Sequence, residues 1–461
     1  MSSDQHTKHW NTLLEWLEQR GMHIGSEHLK VYPKQRPGAG NGLFASEAVS
    51  PHTPLFTLPA SAKMNVLTLR PHYPDSSRLS ATQIIALHLL RHRPQSPHAA
   101  KEHPDPLFGA YISVLPRDFD SHPLTWIVNR TCGAVGYDGE GQLLDLLTPS
   151  AILSLDALQK RFWKDWDQVK LYMDEHTTLT DIVSRDPADF LWAWLNVNTR
   201  CLYDDIGQPR SDNISLCPIF DFANHVWARP TMQPLRPEQH LWTDGRRTKS
   251  SELTCATLET IVERDQEVFL SYGGHSNLTL FVEYGFVNTV AEEGWTSGAY
   301  PGEVIVDDVV KNVLDERGEL GLRIKDILEG ENYWGDWTMH LSPPPAHPSY
   351  RLLTALRLYH VFATEGKAGT EAELQLWRDT VRGLRDVISC ENEERVRATL
   401  VTICGTVVAR ARTALAEIGR WDTEDGRGWV EWQRSSVRRL WAEEAVVASA
   451  VVASVNSGAV F

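Results

Sequence analysis

The hydrophobic positions change period several times along the chain, and each change predicts a change of element. Over residues 8–20, Trp10, Leu13, Leu14 and Leu17 share one helical face, and Gly21 is placed to end the helix. Over 29–58 the apolar residues come in short runs, such as Leu43-Phe44-Ala45 and Leu55-Phe56-Thr57-Leu58, cut by glycine and proline, which predicts small strands. Helical spacing returns at about 80–205, as in Ile84, Leu87 and Leu90 and again in Phe190, Trp194, Val197 and Cys201. Strand-like runs resume at 215–220, 253–261 and 267–272, so a β unit is opened, interrupted by helices and completed.

The run Leu341-Ser342-Pro343-Pro344-Pro345-Ala346-His347-Pro348 continues neither a helix nor a central strand and predicts a boundary at 339–348. Beyond it, Leu374, Trp377, Val381, Leu384 and Ile388 predict one amphipathic helix, and Leu400, Ile403, Val407, Ala411 and Leu415 another. The expected organisation is an entry helix at 1–21, a β-rich unit at 22–338 with its helical insertion, a proline-rich linker at 339–348 and an all-helical domain at 349–461. The fold class is α+β.

Length supports this division, since 461 residues exceed what one core usually holds. Forty-two per cent hydrophobic and 23% charged residues are ordinary globular usage. The net charge of −15 gives no footprint for nucleic acid and favours a neutral or basic protein partner. Arg246-Arg247 and Arg438-Arg439 read as solvated surface. The 6 cysteines are scattered without CxxC spacing, which predicts free thiols in a reducing compartment, cytoplasmic or nuclear, and no zinc site. The first residues lack the apolar core of a signal peptide, and no membrane span is expected. The apolar stretch 445–455 is too short for one and predicts a buried or partner-facing helix end.

Three segments are candidates for chemistry. Gly40-Asn41-Gly42 permits a tight turn and close backbone approach to a ligand. Asp221-Phe222-Ala223-Asn224-His225 ends an apolar run on polar groups that need partners, a turn with capping side chains being the plain alternative. Ser271-Tyr272-Gly273-Gly274-His275-Ser276-Asn277, with Tyr284-Gly285-Phe286 following, delivers a tyrosine from a strand to a glycine turn; a core-anchoring tyrosine is the plain alternative here. His88 and His92, at i and i+4, lack the glutamate of a metalloprotease and, among 18 histidines, read as chance spacing on a solvated helix.

In this order the segments resemble the SET-domain protein methyltransferases, in the class typified by the RuBisCO large-subunit lysine methyltransferase. The likeness includes Phe190 to Arg200, similar to an insertion helix ending in Thr199-Arg200, and runs on through Leu356-Arg357-Leu358-Tyr359 and Ile388 to Glu393. It implies a SET β-fold of small sheets with a pseudoknot, a helical substrate-binding domain, and S-adenosylmethionine (AdoMet) as methyl donor, leaving as S-adenosylhomocysteine (AdoHcy), with no metal. It implies Tyr272 as the catalytic residue. Ala39, Gly40, Asn41, Gly42, Arg200, Asp221, Asn224, His225, Tyr284 and Phe286 would hold the cofactor, and Leu202, Tyr272 and Tyr284 the substrate. Leu202 suits a lysine stem; histidine as acceptor and a non-catalytic binding module of the same fold are the alternatives. A protein substrate would lie in the SET cleft and against the helical domain. Two departures stand out: Asp265-Gln266-Glu267 replaces the family's Gly-Glu-Glu, implying a turn of different shape, and Ala39 stands where the family often has glutamate.

Overall fold

Caps and turns divide the chain where its periodicity changes. The computed structural model describes residues 3–36, 40–94, 105–133, 138–176, 183–235, 252–289, 295, 300–362, 370–421 and 428–461. They form two compact units, one of Met1–Ala134 with Ala157–His275, the other of Val135–Asp156 with Ser276–Phe461.

In the first unit the helix Ser3–Glu18 buries Leu13, Trp16 and Leu17, and Gly21, at φ 92°, turns the chain out of it. A four-stranded sheet follows the order Val31–Arg36, Gly40–Ala45, Glu267–Leu270, Asn224–His225. Its last pairing is parallel, with Asn224 opposite Phe269 and His225 opposite Leu270. A second sheet orders Pro54–Leu58, Leu253–Thr257 and Met232–Pro234, and Leu202–Tyr203 pairs with Ile214–Ser215. Between these strands lie helices, among them Ala81–Arg91, opened by a Ser80 and Gln83 capping box, and Pro187–Arg200, opened by Asp186 and proline.

Three expectations need correction. Gly40, Asn41 and Gly42 lie within a strand, paired with Arg36, Gln35 and Lys34, and are not the turn itself. The apolar run 215–220 is not one strand: Ile214–Ser215 pairs with Leu202–Tyr203, Leu216 makes a single bridge to Met64, Ile219 takes φ 68°, and Phe220–Phe222 coils into a 3-10 turn. His88 is buried, so the histidine pair does not ride a solvated helix.

The second unit is built on long helices, Tyr350–Val361, Glu371–Val381, Cys390–Arg420 and Gly428–Asn456, with a sheet of Glu303–Ile305, Thr338–His340 and His347–Pro348. Trp337, Met339, Leu352, Leu356, Leu400, Ile403, Val407, Val447 and Val451 fill its core, joined by Leu341 and Ala346 of the proline-rich run. Trp441 donates to the Leu146 carbonyl at 2.7 Å, tying Val135–Asp156 into the same unit. The periodic run 374–388 is a helix only to Val381; Gly383, at φ 70°, turns the chain, and Leu384 stands 71% exposed. In Cys390–Arg420 the buried face drifts from Val407 and Ala411 to Ala414 and Ile418, leaving Leu415 half-buried, as 3.6 residues per turn requires. This helix is long and apolar enough to cross a bilayer, yet its apolar residues form a stripe packed in the core.

Candidate active site

The parallel pairing brings two of the motifs side by side. The Tyr272 N–H donates to His225 Nδ1 at 3.1 Å, and the two rings lie 5.1 Å apart. Nδ1 therefore accepts, and the proton of the neutral ring is on Nε2. Burial, with His275 nearby, lowers the His225 pKa to about 4. The Tyr272 hydroxyl donates to the Ala223 carbonyl at 2.9 Å, which fixes the ring from both ends.

Asp221 is held by the 3-10 turn and its side chain is fully buried. Arg200, the last residue of its helix, donates through Nη1 to the Asp221 carbonyl at 2.8 Å and to Oδ2 at 3.4 Å. The buried Tyr111 donates to the same Oδ2 at 3.0 Å. Burial raises the Asp221 pKa against the opposing pull of Arg200 and Tyr111. Trp10 of the entry helix packs on Phe222 at 6.1 Å.

Asn224 Nδ2 donates to Glu267 Oε1 at 2.7 Å, and Arg36 meets Glu267 Oε2 at 3.1 Å. A Cβ on Gly42 would come within 2.5 Å of Glu267 Oε1 and 3.1 Å of Asn224 Nδ2, so glycine is required by close approach there. Gly40 is at φ 70°, open to its surroundings. Leu202 is half-exposed on a short strand whose loop is anchored by the buried Lys63 on Asp204, at 3.0 Å, and by Ser215 on Asp204, at 2.8 Å. Asp265 takes φ 62°, the left-handed conformation that glycine favours, so the departure at 265–267 leaves a glycine-type turn in place.

The first unit thus brings together Gly42, Arg200, Asp221, Asn224, His225 and Tyr272 in one network around the pairing of Asn224–His225 with Glu267–Leu270. Tyr284 and Phe286 belong to the second unit, half-buried with rings 6.2 Å apart at the end of the helix Asn277–Tyr284, whose Asn277 is tied to Glu443 at 2.7 Å. Ala39 lies outside the described residues. Sequence reading missed Glu267, Tyr111 and Arg36. A glutamate opening the apolar strand Glu267–Leu270 was the one available signal, because buried carboxylates are uncommon and need partners.

No family model matches the chain. Ribosomal lysine N-methyltransferase set11 of Schizosaccharomyces pombe is 25% identical over 353 residues, 76% of this chain and 75% of that protein. SET domain-containing protein 4 of Mus musculus is 25% identical over 447 residues, 94% of this chain and 88% of that protein. The SET domain of LSMT bound to lysine and AdoHcy matches in fold at a TM-score of 0.62 and 18% identity, over 98% of this chain and 91% of that one. Rubisco LSMT bound to AdoMet matches at 0.60 and 16% identity, over 98% and 92%. With its small sheets, its paired D-x-x-N-H and S-Y-G segments and its helical C-terminal part, the chain shares the fold of the RuBisCO large-subunit methyltransferase and is similar in sequence to SET-domain proteins that include a ribosomal lysine methyltransferase.

Proposed function

We propose that the protein transfers a methyl group from AdoMet to the side-chain amine of a lysine in a non-histone protein. The observation that carries this reading is the double anchoring of Tyr272, its backbone on His225 and its hydroxyl on Ala223, beside a polar network that fits the donor.

The network passes a test of fit. Arg200 Nε and Asp221 Oδ1 are buried without a hydrogen-bond partner among the described residues, which leaves a donor and an acceptor that a ligand with a carboxylate and an ammonium would satisfy. Arg200 would take the methionine carboxylate, which suits a guanidinium fork, and Asp221 the ammonium beside it. Asn224 and His225 would hold the rest, with Gly40 and Gly42 leaving room for backbone contact. A neutral His225 adds no repulsion toward a sulfonium. When bound, AdoMet supplies an electrophilic methyl group on that sulfonium.

The chain's own task is alignment and deprotonation. A lysine amine, with a pKa of ~10.4, must reach the site neutral, and a water-poor entry, to which the resemblance assigns Leu202, would favour that form. The Tyr272 hydroxyl, committed as donor to Ala223, keeps an oxygen lone pair to orient the incoming amine. The resemblance assigns to Tyr284 and Phe286 ring faces that would attract a cationic group. The substrate class to test first is a basic ribosomal protein: the net charge of −15 favours such a partner, and the Schizosaccharomyces pombe relative is named for ribosomal lysine methylation. Free cysteines fit a cytoplasmic or nuclear location.

Purified protein incubated with labelled AdoMet and a ribosomal extract should label a protein band, and Tyr272→Phe and Asn224→Ala should not. Mass spectrometry of the labelled residue then decides between lysine and histidine. Wild-type protein that neither binds AdoMet in calorimetry nor moves label is a binding module, and the proposal fails.

A further inference from the structure

Away from the active-site network, the helix Ala81–Arg91 ends on two imidazoles one turn apart. The rings of His88 and His92 lie 4.8 Å from each other, and the chain returns to them at Asp105. His88 Nε2 is 3.0 Å from Asp105 Oδ2, and His92 Nε2 is 3.8 Å from Asp105 Oδ1. One ligand atom from each residue lies within 4.8 Å of the other two. A tetrahedral zinc ion with bonds of about 2.0–2.1 Å holds its ligand atoms roughly 3.3 Å apart. Both carboxylate-to-imidazole spacings, 3.0 and 3.8 Å, lie close to that value, and the trio as a whole, within 4.8 Å, would draw in on binding.

Each ligand is also oriented from behind. His88 Nδ1 is 2.8 Å from the Tyr73 hydroxyl. Asp105 accepts the N–H of Leu107 at 3.0 Å and of Phe108 at 2.8 Å. Partners of this kind set the ring and carboxylate geometry of metal sites. The side chains of His88 and Asp105 are 1% exposed, while that of His92 is 16% exposed and opens the site to an ion and to water.

We propose that His88, His92 and Asp105 form a structural binding site for a zinc-type divalent ion, with water as the fourth ligand. On binding, the His88 proton moves from Nε2 to Nδ1, where the Tyr73 oxygen accepts it, and the Nε2 lone pair goes to the metal. Two imidazoles favour a transition ion over calcium or magnesium. The Arg20 guanidinium, bonded to the Leu107 carbonyl at 2.6 Å, interacts with Asp105 and opposes any cation there, which sharpens the demand for coordinate bonds to nitrogen. The site would pin the end of the helix Ala81–Arg91 to the turn leading into Gly109–Ile112, which carries Tyr111.

The test uses the full chain, stripped with a chelator and titrated with Co2+ and then Zn2+. One Co2+ per chain with a visible spectrum of nitrogen and oxygen ligation, displaced by Zn2+ with a rise in Tm of several degrees, is expected. His92→Ala keeps the His88 and Asp105 hydrogen bond, so it should fold, and it should weaken Co2+ binding at least ~10-fold. A wild-type chain that takes up no stoichiometric ion, or a His92→Ala chain that binds as well as wild type, would show that the trio is a hydrogen-bonded pair with a neighbour and nothing more.

Discussion

The two units bury polar groups for different ends. In the first, Asp221, Glu267 and Asn224 are drawn together by two- to six-residue strands and a 3-10 turn, and atoms such as Asp221 Oδ1 have no hydrogen-bond partner among the described residues. In the second, buried carboxylates lock long helices and what packs on them: Glu443 takes the Asn277 amide at 2.7 Å, and Arg410 joins Glu444, at 3.0 Å, to Asp308. Short elements gather the buried carboxylates of the first unit into one cluster; long helices carry those of the second, where Glu443 Oε1 and Glu444 Oε1 also lack a partner among the described residues. The aliphatic stripe of Cys390–Arg420 is what lets the second unit stand on ordinary hydrophobic burial.

Removing a carboxylate should therefore hurt the first unit most. Asp221→Ala leaves the Tyr111 hydroxyl without its acceptor in a buried place and Arg200 with only the main-chain carbonyl of residue 221, and should cost about 3–5 kcal/mol in denaturant unfolding together with AdoMet binding. Unchanged AdoMet affinity by calorimetry would put Asp221 on the purely structural side. Leu400→Ala, fully buried in the second core, should cost about 3 kcal/mol while turnover per folded molecule stays at the wild-type value. A drop in that turnover would blur the contrast. Tyr272→Phe should reverse the pattern, lowering methyl transfer by ~100-fold or more while costing only about 1 kcal/mol of stability for the lost bond to Ala223.

The smallest effect is the most discriminating. The His225 pKa is lowered to about 4 from 6.5, so the stability it contributes is present above pH 6.5 and is lost as pH falls toward 4. Glu443 and Glu444 are raised to about 7 from 4.5, mainly by burial, so their effect is the opposite: stability is full below pH 4.5 and falls as pH rises toward 7. Acidification from pH 7 to 4.5 should thus loosen the first unit and tighten the second, as read by hydrogen exchange of Tyr272 and of residues flanking Glu443. His225→Gln and Glu443→Gln should each flatten its own profile. Parallel profiles in both units would contradict the assignment.

Much of this was legible in the residues. Helical spacing located the entry helix and the stripe at Leu400, Ile403, Val407 and Ala411, and the order of the motifs located Asn224, His225 and Tyr272. Periodicity could not locate the 3-10 turn under Asp221, because Ile219 at φ 68° is imposed by tertiary packing against its preference. It also carried the helix 371–381 too far, since the apolar spacing continues through Leu384 after Gly383 has turned the backbone. Tyr111 was invisible, and Glu267 only hinted at by its place in an apolar strand, for another reason: their meaning lies in partners far along the chain, Asp221 and Asn224. The Asp265 turn shows the converse, a residue that looks like a departure and adopts the conformation of the glycine it replaces.

The parallel pairing of Asn224–His225 with Glu267–Leu270 also governs when the site comes into being. A parallel ladder cannot close through a tight hairpin, so its loop-closure entropy must be met by the whole intervening segment at once. The hairpin of Val31–Arg36 with Gly40–Ala45 needs only neighbours, and it forms early by that measure. A nascent chain that has not yet released Tyr272 from the ribosome has its glycines in place but lacks the anchoring of Tyr272 on His225 and Ala223 that the parallel pairing brings about.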